Sequence, residues 1–388
     1  MRRLFRPAPS HRPAVDSAPY APLIKEIGRG ARGARDLTHE QARELFGQLL
    51  DGTVPDLERG AILIAMRIKG ESLDELLGFV EAMQAGAARV PAPEGPRTVV
   101  LPTFNGARKQ ANLMPLVAML LARDGIPVLI HGRHDFDSRI SPFELFEALG
   151  LPVAGDVGEA GQRLAAERLA ILPTAAIHPG LDAMMALRPR LGLRNSSHSV
   201  AKLLDPLPGR SVRVVAVTHP EYVDSMGTAL PVLSTSDGRA LLMRASEGEA
   251  YLHLRRKAHL QGFADGQAID LNPQSNEDLE WPLSTACEPA DNAALIRAIL
   301  AGAEPLPPRI KDQLAALRRL ATAWARGRRP PAPLQLHSYA YLAISNLRIC
   351  SSHIYKAFIE SRLPASPGRQ PRCQMTRRAL LETRPGPS

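Results

Sequence analysis

From Thr38 onward the apolar positions recur with a helical period. In LTHEQARELFGQLLDG, Ala42, Leu45, Phe46 and Leu49 share one side, Thr38 and Gln41 have the spacing of a capping box, and Asp51-Gly52 ends the run. DLERGAILIAMRIKG predicts a second helix, from Asp56 to a stop at Gly70, with Leu57, Ala61, Ile64, Ala65 and Ile68 on a common inward face. A second box, Ser72 with Glu75, opens a third helix that aligns Leu73, Leu76, Leu77, Val80 and Met83. Residues 20–90 therefore form a predicted all-α domain. It has more apolar surface than so short a unit can hide, so it must pack on another domain or on a second copy of the chain.

After the linker VPAPEGP the period changes. Short aliphatic runs (TVVLP, IPVLIHG, RLAILP, VRVVAV and ALLMRAS) alternate with helical segments near 113–123, at the box Ser141-Pro142-Phe143-Glu144, and near 181–187. DNAALIRAILAG and RIKDQLAALRRLATAWARG read as closing helices. This alternation predicts an α/β domain over residues 97–327, a mostly parallel central sheet covered by helices. Residues 1–19, rich in proline and arginine, read as a flexible arm, and 328–388 as a basic, proline-rich tail without periodicity.

Composition adds three limits. No run of about 18 uncharged apolar residues exists, which excludes a membrane span. Cys287, Cys350 and Cys373 are too dispersed for a disulfide framework or a zinc site, which predicts a reducing, cytoplasmic location. The formal net charge of +9 is concentrated in the tail: from Arg328 onward there are ten Lys/Arg and two Glu, leaving about +1 for the body. Within the body, cations cluster without acids at 95–123 (Arg97, Arg108, Lys109, Arg123), at 183–204 (Arg188, Arg190, Arg194, Lys202) and in HLRRKAH, residues 253–259.

The segments VLIHGRHDFDSRISPFELFEALGL, IHPGLDAMMALRPRLGLRNSSHSVAKLLDPL and VTHPEYVDSMG resemble the anthranilate phosphoribosyltransferases of glycosyltransferase family 3, a fold shared with pyrimidine nucleoside phosphorylases. LGLRNSSHSVAKL, THPEYVDSMG and MRASEGEAY are most similar to the YbiB group, nucleic-acid-binding paralogues without the usual transferase signatures. The resemblance spans roughly residues 20–325. It implies a homodimer through the N-terminal helices and a preference for single strands.

Measured against the enzymes of that fold, the phosphate chemistry is degraded. Their GTGGD loop corresponds to PTFNG at 102–106, where proline removes a donor and Phe104 fills space that glycine leaves open. Their Asn-x-Ser-Thr element corresponds to ANLM, in which only Asn112 is polar; their KHGNR element corresponds to Ile130-His131-Gly132-Arg133-His134, without the lysine. The Asp-Glu pair that holds magnesium in the enzymes reduces to isolated Glu247 and Glu249. Thr103, Asn105, Asn112, His131, Gly132, His178 and Arg194 remain as a vestigial substrate pocket. For His178 and Arg194 two readings stand: lining that pocket, or satisfying buried backbone and capping a helix. The Asn195–Ser199 cluster reads as a helix cap.

Positive charge replaces the lost chemistry. Loops after parallel strands converge on one crevice, which puts Arg108 and Lys109 on one rim with Arg133 and His134, and the fold resemblance adds Arg188, Arg190, Arg194 and Lys202. Such a rim holds a nucleic-acid backbone without reading sequence. Phe104 and Phe136 are the two aromatics in these loops available for base stacking. The expectation is a non-catalytic binder of DNA, single-stranded by resemblance, or of RNA, with no cofactor and no metal. The competing readings are a transferase or nucleoside phosphorylase with an altered phosphate site, which would require magnesium, and a scaffold for another protein.

Overall fold

Two reciprocal caps set the start of the helical part. Thr38 accepts from the Gln41 N–H while the Gln41 side chain returns to the Thr38 N–H, and Ser72 and Glu75 repeat the exchange. Both are seen in the computed structural model, which describes residues 19–30, 32–134, 139–235 and 237–322. The caps open α2 (His39–Leu50) and α4 (Leu73–Ala85), which follow α1 (Ala21–Ile27) and flank α3 (Asp56–Lys69). Phe46 of α2 stacks on Phe79 of α4 with ring centroids 4.6 Å apart, a contact worth about 0.5–1.5 kcal/mol beyond its buried area. The short α1, packed on α3, was not among the three expected helices.

The orientation of α3 departs from expectation. Ile62, Leu63 and Met66 are its buried residues, whereas Leu57 is 81% and Ile68 65% exposed. Apolar residues occupy nearly the whole circumference of this helix, so periodicity alone could not choose the inward side. The core took the Ile62–Met66 side and left the Leu57–Ile68 row outward.

The five predicted strands are present as β1 (Thr98–Thr103), β2 (Val128–Gly132), β3 (Leu169–Pro173), β4 (Ser211–Val217) and β5 (Arg239–Ser246). They are parallel, in the order β3-β2-β1-β4-β5. Their residues alternate between two cores: Val100, Leu129, Val215 and Leu242 face one, and Val99, Leu101, Val214 and Leu241 the other. Three strands were not anticipated. β6 (Glu249–Leu252) folds back on β5, and β7 (Leu260–Ala264) and β8 (Gln267–Asp270) extend the β5 edge antiparallel.

The chain's other helices, among the described residues, are α5 (Met114–Arg123), α6 (Pro142–Leu149), α7 (Val157–Glu167), α8 (Thr174–Ile177), α9 (Pro179–Met185), α10 (Arg188–Leu191), α11 (Ser197–Val200), α12 (Pro220–Leu233), α13 (Pro289–Leu300) and α14 (Pro308–Thr322). At α6 the expected reciprocal box is a simpler cap: Ser141 accepts from the Phe143 N–H at 3.1 Å, because Pro142 sets the first turn and Glu144 makes no return bond to it. None of the described helices is long and apolar enough to cross a membrane. The expected arm, Phe136 and the tail lie outside the described residues.

The helical part and the sheet share one core. It runs from Tyr20 through Phe46 and Phe79 to Leu172, Val215 and Phe263. Polar bonds lace the same seam: the Gln84 amide exchanges bonds of 2.7 and 3.0 Å with the Asp205 backbone, and the Ala88 N–H donates to the Ile177 carbonyl at 2.8 Å.

Candidate functional site

The loop after β1 wraps around carboxylates supplied by the chain itself. Glu249 is fully buried, and its side chain accepts from the Asn105 N–H at 2.8 Å, the Gly106 N–H at 3.0 Å, the Thr103 hydroxyl at 2.5 Å and the Asn112 amide at 3.2 Å. Glu247 accepts from the Arg108 and Lys109 N–H groups at 3.0 and 3.4 Å. Four backbone N–H groups thus point at two carboxylates, the geometry of an anion nest. Gly106 makes the bend at φ +71°.

The turn that delivers these acids has an unusual composition. Glu247 and Gly248 lie between β5 and β6 with φ of +51° and +88°, the pattern of a two-residue hairpin that prefers Asn-Gly. A glutamate in this region costs on the order of 1 kcal/mol, and here its carboxylate is bonded to two N–H groups. Gly248 has no room for a side chain, since a Cβ would fall 2.5 Å from the Asn105 amide nitrogen. The hairpin supports the rest of the loop as well: Asn105 donates to the Gly248 carbonyl at 2.7 Å, Gln110 to Ser246, and Tyr251 to the Ala111 carbonyl at 3.0 Å.

Bulk at Phe104 was expected to fill the cradle, and this is corrected. Phe104 is buried beneath the loop, its ring edge-on to His131 at 5.6 Å. It is unavailable for base stacking, because the apolar ring gains more from the core than from solvent. Glu249 fills the cradle instead. His131 is enclosed completely, and burial pushes its pKa down to about 4. Gly132 pairs in register with Thr103 at the end of β2.

Cations from separate elements collect around Arg194. Its guanidinium donates to the Asn105 side chain, so it reaches the β1 loop and is not a helix cap. Burial first, then the charges of Arg188 and Arg139, lower its pKa to about 10, with Arg67 of α3 adding to the effect. His198 lies in the same group: burial, followed by Arg194, and then Arg188 and Arg133, holds its pKa near 3. Arg67 also donates to the Tyr222 hydroxyl at 2.8 Å, tying α3 to α12. Arg133 is held by Asp182, with 2.6 Å to the carboxylate and 2.7 Å to the carbonyl.

Not every predicted cation joins this group. Arg108 and Lys109 are exposed on the outer side of the loop, beyond Glu247. Arg190 is 70% exposed and turns to Asp56 at 3.6 Å. His134 is exposed and lines a separate shallow cavity with Ser141, Phe143 and Glu144. Lys202 is held against the strand backbone. Its ammonium donates to the Ala216 carbonyl, and burial, then Arg194, lower its pKa to about 8 against an opposing pull from Glu249. It is part-buried and bonded to the backbone of β4.

His178 proves to be a cap. Its Nδ1 accepts from the Leu181 N–H at 3.1 Å at the start of α9, and its ring fits against Gly86. Asn195 likewise accepts from the Ser197 N–H at 3.0 Å ahead of α11. Sequence reasoning missed Arg67, Arg139 and Tyr222. Arg67 sits near the end of a helix, where a cation is ordinary, and Arg139 follows the segment of two aspartates in HDFDSR, so neither stood out. Among the described residues, no three His, Cys, Asp or Glu side chains converge as metal ligands.

Residues 21–87 match the family model described as the glycosyl transferase family, helical bundle domain. The chain is 41% identical over 299 residues to uncharacterized protein YbiB of Escherichia coli K12, covering 76% of this chain and 92% of that protein. It is 27% identical over 285 residues to the anthranilate phosphoribosyltransferase of Methylocella silvestris, covering 72% of this chain and 79% of the relative. Among solved structures, the anthranilate phosphoribosyltransferase of Thermus thermophilus superposes with a TM-score of 0.62 at 25% identity, over 77% of this chain and 88% of its own.

Proposed function

Because the chain belongs to the YbiB family, whose fold is that of the anthranilate phosphoribosyltransferases, we propose that it is a non-catalytic protein that binds nucleic acid through its backbone with little sequence preference. The observation that carries this reading is the gathering of Arg67, Arg139 and Arg188 around Arg194, from the helical part and the α/β part alike. Guanidinium groups gathered around Arg194 from separate elements gain most from a polyanion, which offers several phosphates at fixed spacing. The filled nest supports the same reading: its backbone donors are already bonded to Glu249 and Glu247 and are not free to hold the phosphates of a small substrate.

Single-stranded DNA is the favoured ligand, with RNA next, and the cytoplasm the site of action. The protein works as a homodimer through the outward row of α3, where Leu57 and Ile68 remain exposed beside half-buried Ala61 and Ile64. A second copy laid on this row would align two cationic surfaces and raise affinity by linkage.

Titration of a labelled oligonucleotide at several salt concentrations tests the proposal. A steep fall of log affinity with log salt is expected, with a slope that becomes shallower by about 1 for each phosphate contact removed, as in Arg194→Ala. A salt-independent or absent response overturns it. Calorimetry with magnesium and phosphoribosyl pyrophosphate is expected to show no saturable heat, and saturation would restore the transferase reading.

A further inference from the structure

We infer that Glu249 is a resident anion: the β1 loop is an oxyanion nest which the chain keeps closed with its own carboxylate, and which opens to inorganic phosphate when that carboxylate is removed. The donor set is larger than a turn needs. Two backbone N–H groups, a hydroxyl and an amide converge on one buried carboxylate, with the Lys202 ammonium near enough to feel its charge. Such a set would leave four unpaired donors if the carboxylate left, which favours an anion in its place. A tetrahedral phosphate has the oxygens to replace it.

The hairpin explains why the carboxylate does not yield to phosphate in the native protein. Glu249 is on β6, directly after a turn whose Gly248 lies against Asn105, and Glu247 holds the outer N–H groups of the same loop. Withdrawing Glu249 would separate β6 from the loop along its length. The internal ligand is also at a fixed, high effective concentration, which a solute at millimolar level cannot match. The consequence is selectivity: free phosphate and the phosphates of nucleotides are kept out of the nest, and the loop holds one shape whatever their concentration.

The test requires no nucleic acid, so its outcome is separable from that of the binding function proposed above. Wild-type protein, Glu249→Ala and Glu249→Gln are melted in chloride and in phosphate at matched ionic strength, and phosphate binding is measured by calorimetry. Glu249→Ala is expected to bind phosphate and to gain roughly 2–4 °C in midpoint at a concentration tenfold above its Kd, while wild type shows neither effect. If Glu249→Ala folds only when phosphate is present, that dependence supports the inference. If it does not fold at all, Glu249→Gln, which keeps the shape and drops the charge, decides the matter. Absence of phosphate binding in a folded variant, or equal binding in wild type, overturns it.

Discussion

The β1 loop and the Arg194 group lie side by side, joined by the bond from Arg194 to Asn105, yet they handle charge in opposite ways. In the loop, donors and carboxylates are matched within the chain: every backbone N–H from Asn105 and Gly106 to Arg108 and Lys109 has an internal acceptor. Around Arg194, like charges are brought together and ionisation is disfavoured. The first arrangement adds to stability and forgoes ligands. The second gathers one sign of charge, which on the proposed reading favours a ligand of the opposite sign.

Breaking the internal match is expected to have the largest effect. Glu249→Ala should lose about 3–5 kcal/mol of unfolding free energy in urea melts, because four buried donors lose their acceptor at about 1 kcal/mol or more each; Arg194→Ala should lose far less. A loss of similar size at both sites would erase the contrast.

Acid comes next. His131 and His198 have pKa values lowered from 6.5 to about 4 and about 3. Above pH 6.5 both are neutral in folded and unfolded chains; below it the unfolded chain takes up protons that the buried rings refuse, so stability falls with pH until the folded values are reached. The loss should be roughly 3 kcal/mol for each histidine, read from melts between pH 7 and 4. The causes differ and sharpen the comparison: burial alone acts on His131, whereas Arg194 adds to burial at His198. Arg194→Ala should therefore raise the pKa of His198 in NMR titrations and leave that of His131 in place.

Binding effects are smaller in free energy. Arg194→Ala or Arg188→Ala should each weaken oligonucleotide affinity about tenfold, near 1.4 kcal/mol, and Arg190→Ala, whose side chain is 70% exposed and turned to Asp56, by less than threefold. Equal effects in fluorescence titrations would spread the site evenly over the surface. The smallest change belongs to Glu247→Asn: it relieves backbone strain at φ +51° but shortens the acceptor for Arg108 and Lys109, for a net shift within about 1 kcal/mol.

Much of the fold was legible because its signals are local. The caps at Thr38 and Ser72 and the apolar runs of β1 to β5 each state their structure within a few residues. α3 was misread because a helix apolar on most sides has no single preferred face, and β6 to β8 were missed because they are short and, at β8, mostly exposed. The site was legible only in part. Arg188 and Arg194 stood out by charge, but Arg67 lies over a hundred residues away in a helix, and Glu249 meets the loop only through a hairpin. Both depend on tertiary proximity, which spacing in sequence does not encode.

The shared core between the helical part and the sheet has a kinetic meaning. Arg67 stands on one side of that seam and Arg188 and Arg194 on the other, with Gln84, Asp205, Ala88 and Ile177 bonded across it. A common core and these bonds join the two sides. On the proposed reading, a strand would meet cations from both sides at once, its capture set by diffusion and charge, and its residence time by how quickly salt ions replace its phosphates.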